Sequence, residues 1–98
     1  MNDRYKYPEE KFSLARSYLM LPPRGKEALV ISQACSECSL GLNDVSLDEL
    51  EPIARDHISK LKELMERKEK LSEIDKRDLC ESINYLAYCF HDRWTGVW

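Results

Sequence analysis

Residues 73–93, EIDKRDLCESINYLAYCFHDR, carry a long apolar stripe at helical spacing and decide the fold class of this chain. Apolar side chains recur there at steps of three and four, the spacing of one face of an α-helix. The stripe consists of Cys80, Ile83, Ala87, Phe90 and Trp94, broadened by Leu79 and Leu86. Ser72 followed by Asp75 is a capping pattern that predicts where this helix begins. We predict an all-α fold with this helix at its centre.

The segment before it shows the same helical spacing over residues 46–68. Ser46 and Glu49 form a capping box, which predicts a helix beginning at Ser46. Pro52 complicates this start, because a proline inside a helix removes a hydrogen bond and clashes with the preceding turn. The sequence therefore leaves two alternatives: a first turn kinked at Pro52, or a separate short turn over residues 46–51.

Two further helices are predicted in the N-terminal half. The first covers residues 8–21 and is stopped by the pair Pro22-Pro23. The second covers residues 24–40 and ends at Gly41, which suits a left-handed C-cap. Short connections between consecutive helices favour antiparallel neighbours. We therefore expect a compact up-and-down bundle of about four helices, the first one short.

Length and composition indicate a single helical domain over residues 1–98. A content of 43% hydrophobic residues supports one modest core. Lys and Arg total 15 against 18 Asp and Glu, for a net charge of −3 without clustered cations, so we expect no nucleic-acid partner. The chain shows neither an apolar run of the roughly 18 residues that span a membrane nor a secretory signal. The expectation is a cytoplasmic protein with reduced cysteines and no membrane partner.

Cys35 and Cys38 form a C-x-x-C pair on the apolar stripe of the predicted second helix. The simplest interpretation is that both are small core residues. The alternative is a zinc-stabilised module in which Cys80 or Cys89, together with His91, completes four nitrogen and sulfur ligands. Familiar zinc modules place such a pair on a turn rather than within a helix. We therefore predict no metal and no other cofactor.

Four carboxylates offer an enzymatic alternative. Glu63 and Glu66 on the third helix, and Asp78 and Glu81 on the fourth, are spaced in a way similar to the paired acidic motifs of all-α nucleotide pyrophosphatases. Acids three residues apart on facing helices can share magnesium, which would permit nucleotide hydrolysis. Glu63 and Glu66 also lie among basic residues, as expected of a solvated helix face. We favour that interpretation and predict no catalytic residues.

The C-terminal segment carries both tryptophans of the chain. Trp and Arg are enriched at binding hot spots, because they bury large areas and still carry a polar group. The segment supplies four candidate protein-binding residues: Arg93, Trp94, Val97 and Trp98. We favour a structural interpretation, in which Trp94 and Trp98 fold back over the end of the bundle with Tyr5 or Tyr7.

The functional expectation follows mainly from what the sequence lacks. It shows no catalytic constellation, cationic stripe or membrane segment, and small helical bundles commonly present a helix face to a partner. We predict a protein-binding or regulatory module: an adaptor, an inhibitor, or a bundle that associates with a second copy of itself. The magnesium-dependent hydrolase and the zinc-stabilised module remain the alternatives.

Overall fold

Four α-helices make up most of the structure. A computed structural model of the protein describes residues 3–20, 27–43, 45–67 and 70–96. The helices are α1 (Lys6–Met20), α2 (Glu27–Leu42), α3 (Pro52–Glu66) and α4 (Glu73–Thr95). Single 3₁₀ turns at Asp3–Tyr5 and Leu47–Glu49 precede α1 and α3. The predicted all-α bundle is confirmed. The prediction of a short first helix is wrong, because α1 contains 15 residues, as many as α3.

Helices α1 and α4 share the central position in the bundle. Helix α1 packs against both α2 and α4, while α3 packs mainly against α4. Glu51, directly before α3, contacts Tyr85 of α4, whereas Lys60, further along α3, lies near Asp78, which comes earlier in α4. These two helices are therefore antiparallel. The predicted central place of α4 needs one correction, which is that α1 occupies it too.

The core is built around Phe90 of α4, which is fully buried. Its ring meets Phe12 of α1 edge-on, with 5.1 Å between ring centroids, and stacks on Tyr5 at 6.1 Å. Such aromatic pairs add to the free energy of burial. The large aliphatic side chains that are fully buried belong to α3 and α4: Ile58, Leu61, Leu64, Leu79, Ile83 and Leu86.

Gly41 is not the C-cap that the sequence predicted, because α2 continues to Leu42. A Cβ at position 41 would lie 3.0 Å from the Cβ of Lys11 and 3.2 Å from a ring carbon of Phe12. Neither atom is at the free end of a flexible side chain, so a side chain at position 41 would have to displace α1 by a few tenths of an ångström, and glycine favours the close approach of α1 and α2. The described glycine with a left-handed backbone is Gly96, which has φ 80° and ends α4.

The start of α3 decides between the two alternatives at Pro52. Helix α3 begins at Pro52 itself, in the first position, where no N–H is needed, and the preceding residues form a separate turn. The predicted capping box at Ser46 is wrong, because its side chain caps nothing. The Glu49 carboxylate instead accepts hydrogen bonds from Arg4 at 2.6 Å and from the Tyr5 hydroxyl at 2.9 Å.

The start of α4 confirms the other predicted cap. The Ser72 hydroxyl accepts from the Asp75 N–H at 3.1 Å, and the Asp75 carboxylate accepts from the Ser72 N–H at 3.2 Å. Cys80, expected on the buried stripe of this helix, is exposed. The buried arc faces α1 and α3 together and is centred on Leu79, Ile83 and Leu86, which leaves Cys80 at its edge. The predicted stop at Pro22-Pro23 lies outside the described residues.

The helices are too short or too polar to cross a bilayer. Within residues 3–20, 27–43, 45–67 and 70–96, no helix combines the length and the apolar character that a membrane span needs.

Candidate functional site

Two neighbouring clefts lie along the surface where α3 packs on α4. We call the first the tyrosine cleft; it has a volume of about 400 Å³ and is lined by Glu51, Glu81, Asn84, Tyr85, Tyr88, Cys89 and Asp92. We call the second the histidine cleft; it has a volume of about 380 Å³ and is lined by Ile53, Asp56, His57, Lys60, Asp78, Glu81 and Ser82. Glu81 belongs to both clefts, which therefore form one continuous surface, the α3–α4 face.

One outward stripe of α4 supplies most of the tyrosine cleft. Glu81, Tyr85, Tyr88 and Asp92 follow one another at steps of four, three and four, which places them on one side of the helix. The opposite side of α4 carries the buried core residues. Packing of α4 into the bundle therefore turns these two carboxylates and two tyrosines outward together.

Tyr85 is held in place from the α3 side. Its hydroxyl donates a hydrogen bond to Oε1 of Glu51 at 3.1 Å, and its ring stacks on His57 with 4.4 Å between centroids. Burial, and next the hydrogen bond to Glu51, raise the pKa of Tyr85 above its ordinary value. The hydroxyl therefore stays protonated and keeps donating to Glu51 at neutral pH.

Tyr88 is held from the α1 side. The Arg16 guanidinium lies 5.0 Å from the centroid of the Tyr88 ring, and one of its N–H groups donates to the Tyr88 hydroxyl at 3.2 Å. This is a cation–π contact of ordinary geometry. The two tyrosines of the cleft are thus fixed by different helices, and the cleft has a defined shape.

His57 and Ser82 form a partly buried polar contact in the lining of the histidine cleft. Nδ1 of His57 lies 3.1 Å from Oγ of Ser82. A serine hydrogen-bonded to a histidine can act as a nucleophile that the histidine activates as a base, but the nucleophile must be accessible to its substrate. Only 2% of Ser82 is exposed, so the contact serves to orient the His57 ring, which in turn supports Tyr85.

The tyrosine cleft is negatively charged. Three carboxylates, Glu51, Glu81 and Asp92, line it, and none of its described lining residues is Lys or Arg. Within the described chain, none of these carboxylates forms an ion pair. The histidine cleft is more balanced, because Lys60 lies 4.0 Å from Asp78.

The C-terminal candidate residues are only partly described. The Arg93 guanidinium lies 5.5 Å from the ring centroid of Tyr5. Trp94 is half-buried, packs against the core and meets the His91 ring at 6.1 Å. Val97 and Trp98 lie outside the described residues. Arg93 and Trp94 therefore make contacts inside the bundle, and the binding role predicted for the four residues stays a prediction.

The candidate zinc ligands are distributed over different parts of the bundle. Cys35 and Cys38 are buried on α2, Cys80 is exposed on α4, and His91 lies 3.5 Å from Glu9 of α1. Among the residues with described positions, no group of three or more His, Cys, Asp or Glu side chains could hold a metal ion. The structure thus does not bring these four ligands together.

The four acids of the magnesium alternative are also engaged separately. Glu63 lies 3.5 Å from Arg67 one turn along α3, and Asp78 lies near Lys60. Glu66 is exposed, and Glu81 lines the two clefts. Neither pair faces the other as a shared carboxylate site, which agrees with the lack of a metal-binding cluster among the described residues.

The thiol of Cys38 gives a direct test of the core interpretation. Cys38 is fully buried, and this burial raises its pKa above the ordinary value for a thiol. We expect Cys38→Ala to lower the free energy of unfolding by about 1–2 kcal/mol in urea denaturation. The exposed Cys80→Ala is the control and should change it by about 0.5 kcal/mol or less. Stoichiometric zinc in the wild type, lost in Cys38→Ala, would contradict the core interpretation.

Sequence reasoning did not identify the tyrosine cleft. The signal was available, because Glu81, Tyr85, Tyr88 and Asp92 lie at helical spacing opposite the apolar stripe. Glu51 could not be added from the sequence, since its approach to Tyr85 depends on how α3 and α4 pack.

Comparison of the chain with protein-family models, with curated proteins and with solved structures gives no significant match. A functional assignment must therefore come from the geometry and chemistry of the chain's own surface.

Proposed function

We propose that this protein is a small intracellular protein-binding module that binds another protein through its α3–α4 face. The observation that carries the proposal is the exposure of two large side chains beside the clefts. Ile53 is 58% exposed next to the histidine cleft, and Tyr88 is 54% exposed next to the tyrosine cleft. Exposed aromatic and aliphatic side chains that flank concave surfaces are typical anchors of protein interfaces.

The state of the cysteines supports the intracellular part of the proposal. All four are free thiols, and three of them are buried. Free thiols persist in reducing compartments such as the cytoplasm. The bundle is held together by its apolar core, so it needs no disulfide for stability.

The charge of the face favours a different protein as partner over a second copy. In a symmetric dimer the same patch meets itself around a two-fold axis. Such a contact would bring the unpaired Glu81 and Asp92 of one copy close to those of the other. Like charges that meet in an interface disfavour association.

Selection of binding peptides tests the proposal and does not require the partner to be identified. A displayed library of random peptides would be selected on the wild type, and the affinities of the selected peptides would be measured on two variants. Ile53→Asp should weaken them by about tenfold or more, the effect of losing an interface anchor. Ile74→Asp is a matched control, because Ile74 is 62% exposed and is also the second residue of its helix.

The two variants also distinguish a docking face from general surface attraction. Peptides that lose affinity equally on Ile53→Asp and Ile74→Asp would contradict the proposed face. Circular dichroism melting of both variants should match the wild type within a few degrees, because an Asp in the first turn of a helix is favourable.

A further inference from the structure

We propose that the tyrosine cleft is the binding site for one arginine side chain of the partner protein. The inference rests on the proposed function of the α3–α4 face and names the chemistry of the partner: a segment that presents a basic residue to this cleft. Three observations carry it, namely the aromatic walls, the carboxylates that form no ion pair within the described chain, and the size of the cleft.

The aromatic walls already show an affinity for guanidinium within the protein itself. The Arg16 guanidinium lies 5.0 Å from the Tyr88 centroid and contacts its hydroxyl. A second guanidinium can interact with the tyrosines from the cleft side, because the described residues that line the cleft include no Lys or Arg. Tyr85 is held by His57 and Glu51 before any ligand binds, so binding does not cost the conformational entropy of fixing its side chain.

The carboxylates give the cleft its charge complementarity. Glu51, Glu81 and Asp92 place three formal negative charges around one concave surface and form no ion pair within the described chain. Two cations outside the lining, Arg16 and Arg93, contact Tyr88 and Cys89, so the acids still outnumber the nearby guanidiniums. Arginine suits this surface better than lysine does, because its planar guanidinium can stack on a ring and also donate to a carboxylate in a bidentate manner.

The size of the cleft fits a long side chain. Its volume of about 400 Å³ is at the lower end of the range found for small-ligand sites. The aliphatic stem of an arginine can lie along Cys89 and the tyrosine rings while its head reaches the acids. A bare metal ion would leave most of this volume empty, and the described residues do not offer it a cluster of ligands.

The experiment uses a single arginine as the probe. Nα-acetyl-arginine methylamide would be titrated into the full chain at low salt, with the ring proton signals of the tyrosines followed by NMR. We expect saturable shifts of the Tyr85 and Tyr88 signals, while those of Tyr7, an exposed tyrosine on α1, stay in place. The uncharged isostere Nα-acetyl-citrulline methylamide should bind at least about tenfold more weakly, because it lacks the charge.

Two variants localise the binding to the carboxylates. Glu81→Gln should raise the dissociation constant of the arginine probe by about threefold, as expected for the loss of one exposed ion pair. Glu66→Gln removes an exposed acid of α3 that lies outside both clefts, and it should leave the constant unchanged. Equal binding of the arginine and citrulline probes, no saturable shift, or an equal effect of the two variants would overturn the inference.

These outcomes are separate from those of the peptide selection. Selected peptides that depend on Ile53 but lack basic residues would overturn the arginine site and leave the proposed docking face in place. If the arginine probe binds but the affinity of the selected peptides does not depend on Ile53, the arginine site is supported and the proposed docking face is overturned.

Discussion

Replacing Phe90 by alanine is expected to lower the free energy of unfolding by about 3–5 kcal/mol. Phe90 is 0% exposed and joins Phe12 of α1 to Tyr5 of the N-terminal turn. Its removal leaves a cavity between α1 and α4, the two helices that hold the centre of the bundle. A small domain has a total stability of roughly 5–15 kcal/mol, so this loss is a large fraction of it.

Chemical denaturation followed by circular dichroism measures this loss. The control is Tyr88→Ala, an exposed aromatic residue two positions earlier on α4. It gives up the exposed cation–π contact and the exposed hydrogen bond with Arg16 and should cost about 1 kcal/mol. Similar losses in the two variants would contradict the packing of Phe90 between the first turn and α1.

The caps show which parts of the fold can be predicted from the sequence. Ser72 and Asp75 form the predicted capping box, because both partners lie within one turn; Arg67 also donates to the Asp75 carboxylate at 3.1 Å and leaves the box intact. Ser46 and Glu49 have the same pattern, yet Glu49 binds Arg4 and Tyr5, more than forty residues away in the chain. A local pattern therefore predicts a local contact only when tertiary packing does not draw its side chains away from each other, as Arg4 and Tyr5 draw Glu49 away from Ser46.

Gly41 and Cys80 were misjudged for a related reason. The sequence indicates that a glycine lies near the end of a helix, but it does not show that another helix passes 3.0 Å from where its Cβ would be. Periodicity locates an apolar stripe, but the two helices that flank α4 decide where the buried arc is centred. Both errors follow from neighbours that are distant in sequence.

The candidate site was accessible to sequence reasoning only in part. His57 has the same helical spacing as Ala54 and Leu61 of the apolar stripe, and its contact with Ser82 explains how a polar ring is accommodated there. Ser82 itself carried a signal, because a hydroxyl between Leu79 and Leu86 on the buried side of a helix needs a partner. The partner could not be named, since it lies on a different helix and depends on the register between α3 and α4.

Replacing Trp94 by alanine is the second substitution for which we expect a large effect, and it tests the role of the C-terminal segment. Trp94 is half-buried against the core, so its loss should cost about 2 kcal/mol, roughly half the value for a fully buried tryptophan. For a domain of this size, that corresponds to a fall of about 8–16 °C in melting temperature. The melting temperature should fall while the self-association of the protein stays unchanged.

Differential scanning calorimetry and sedimentation equilibrium, applied to the same samples, separate the two roles of Trp94. If Trp94 is structural, its replacement lowers the melting temperature and leaves the mass distribution unchanged. If it anchors a second copy, its replacement lowers the average mass and leaves the melting temperature unchanged. We expect the first result, because Trp94 contacts His91 and the core while Arg93 lies over Tyr5 at the same end of the bundle. An unchanged melting temperature combined with lost self-association would transfer the binding role from the α3–α4 face to this segment.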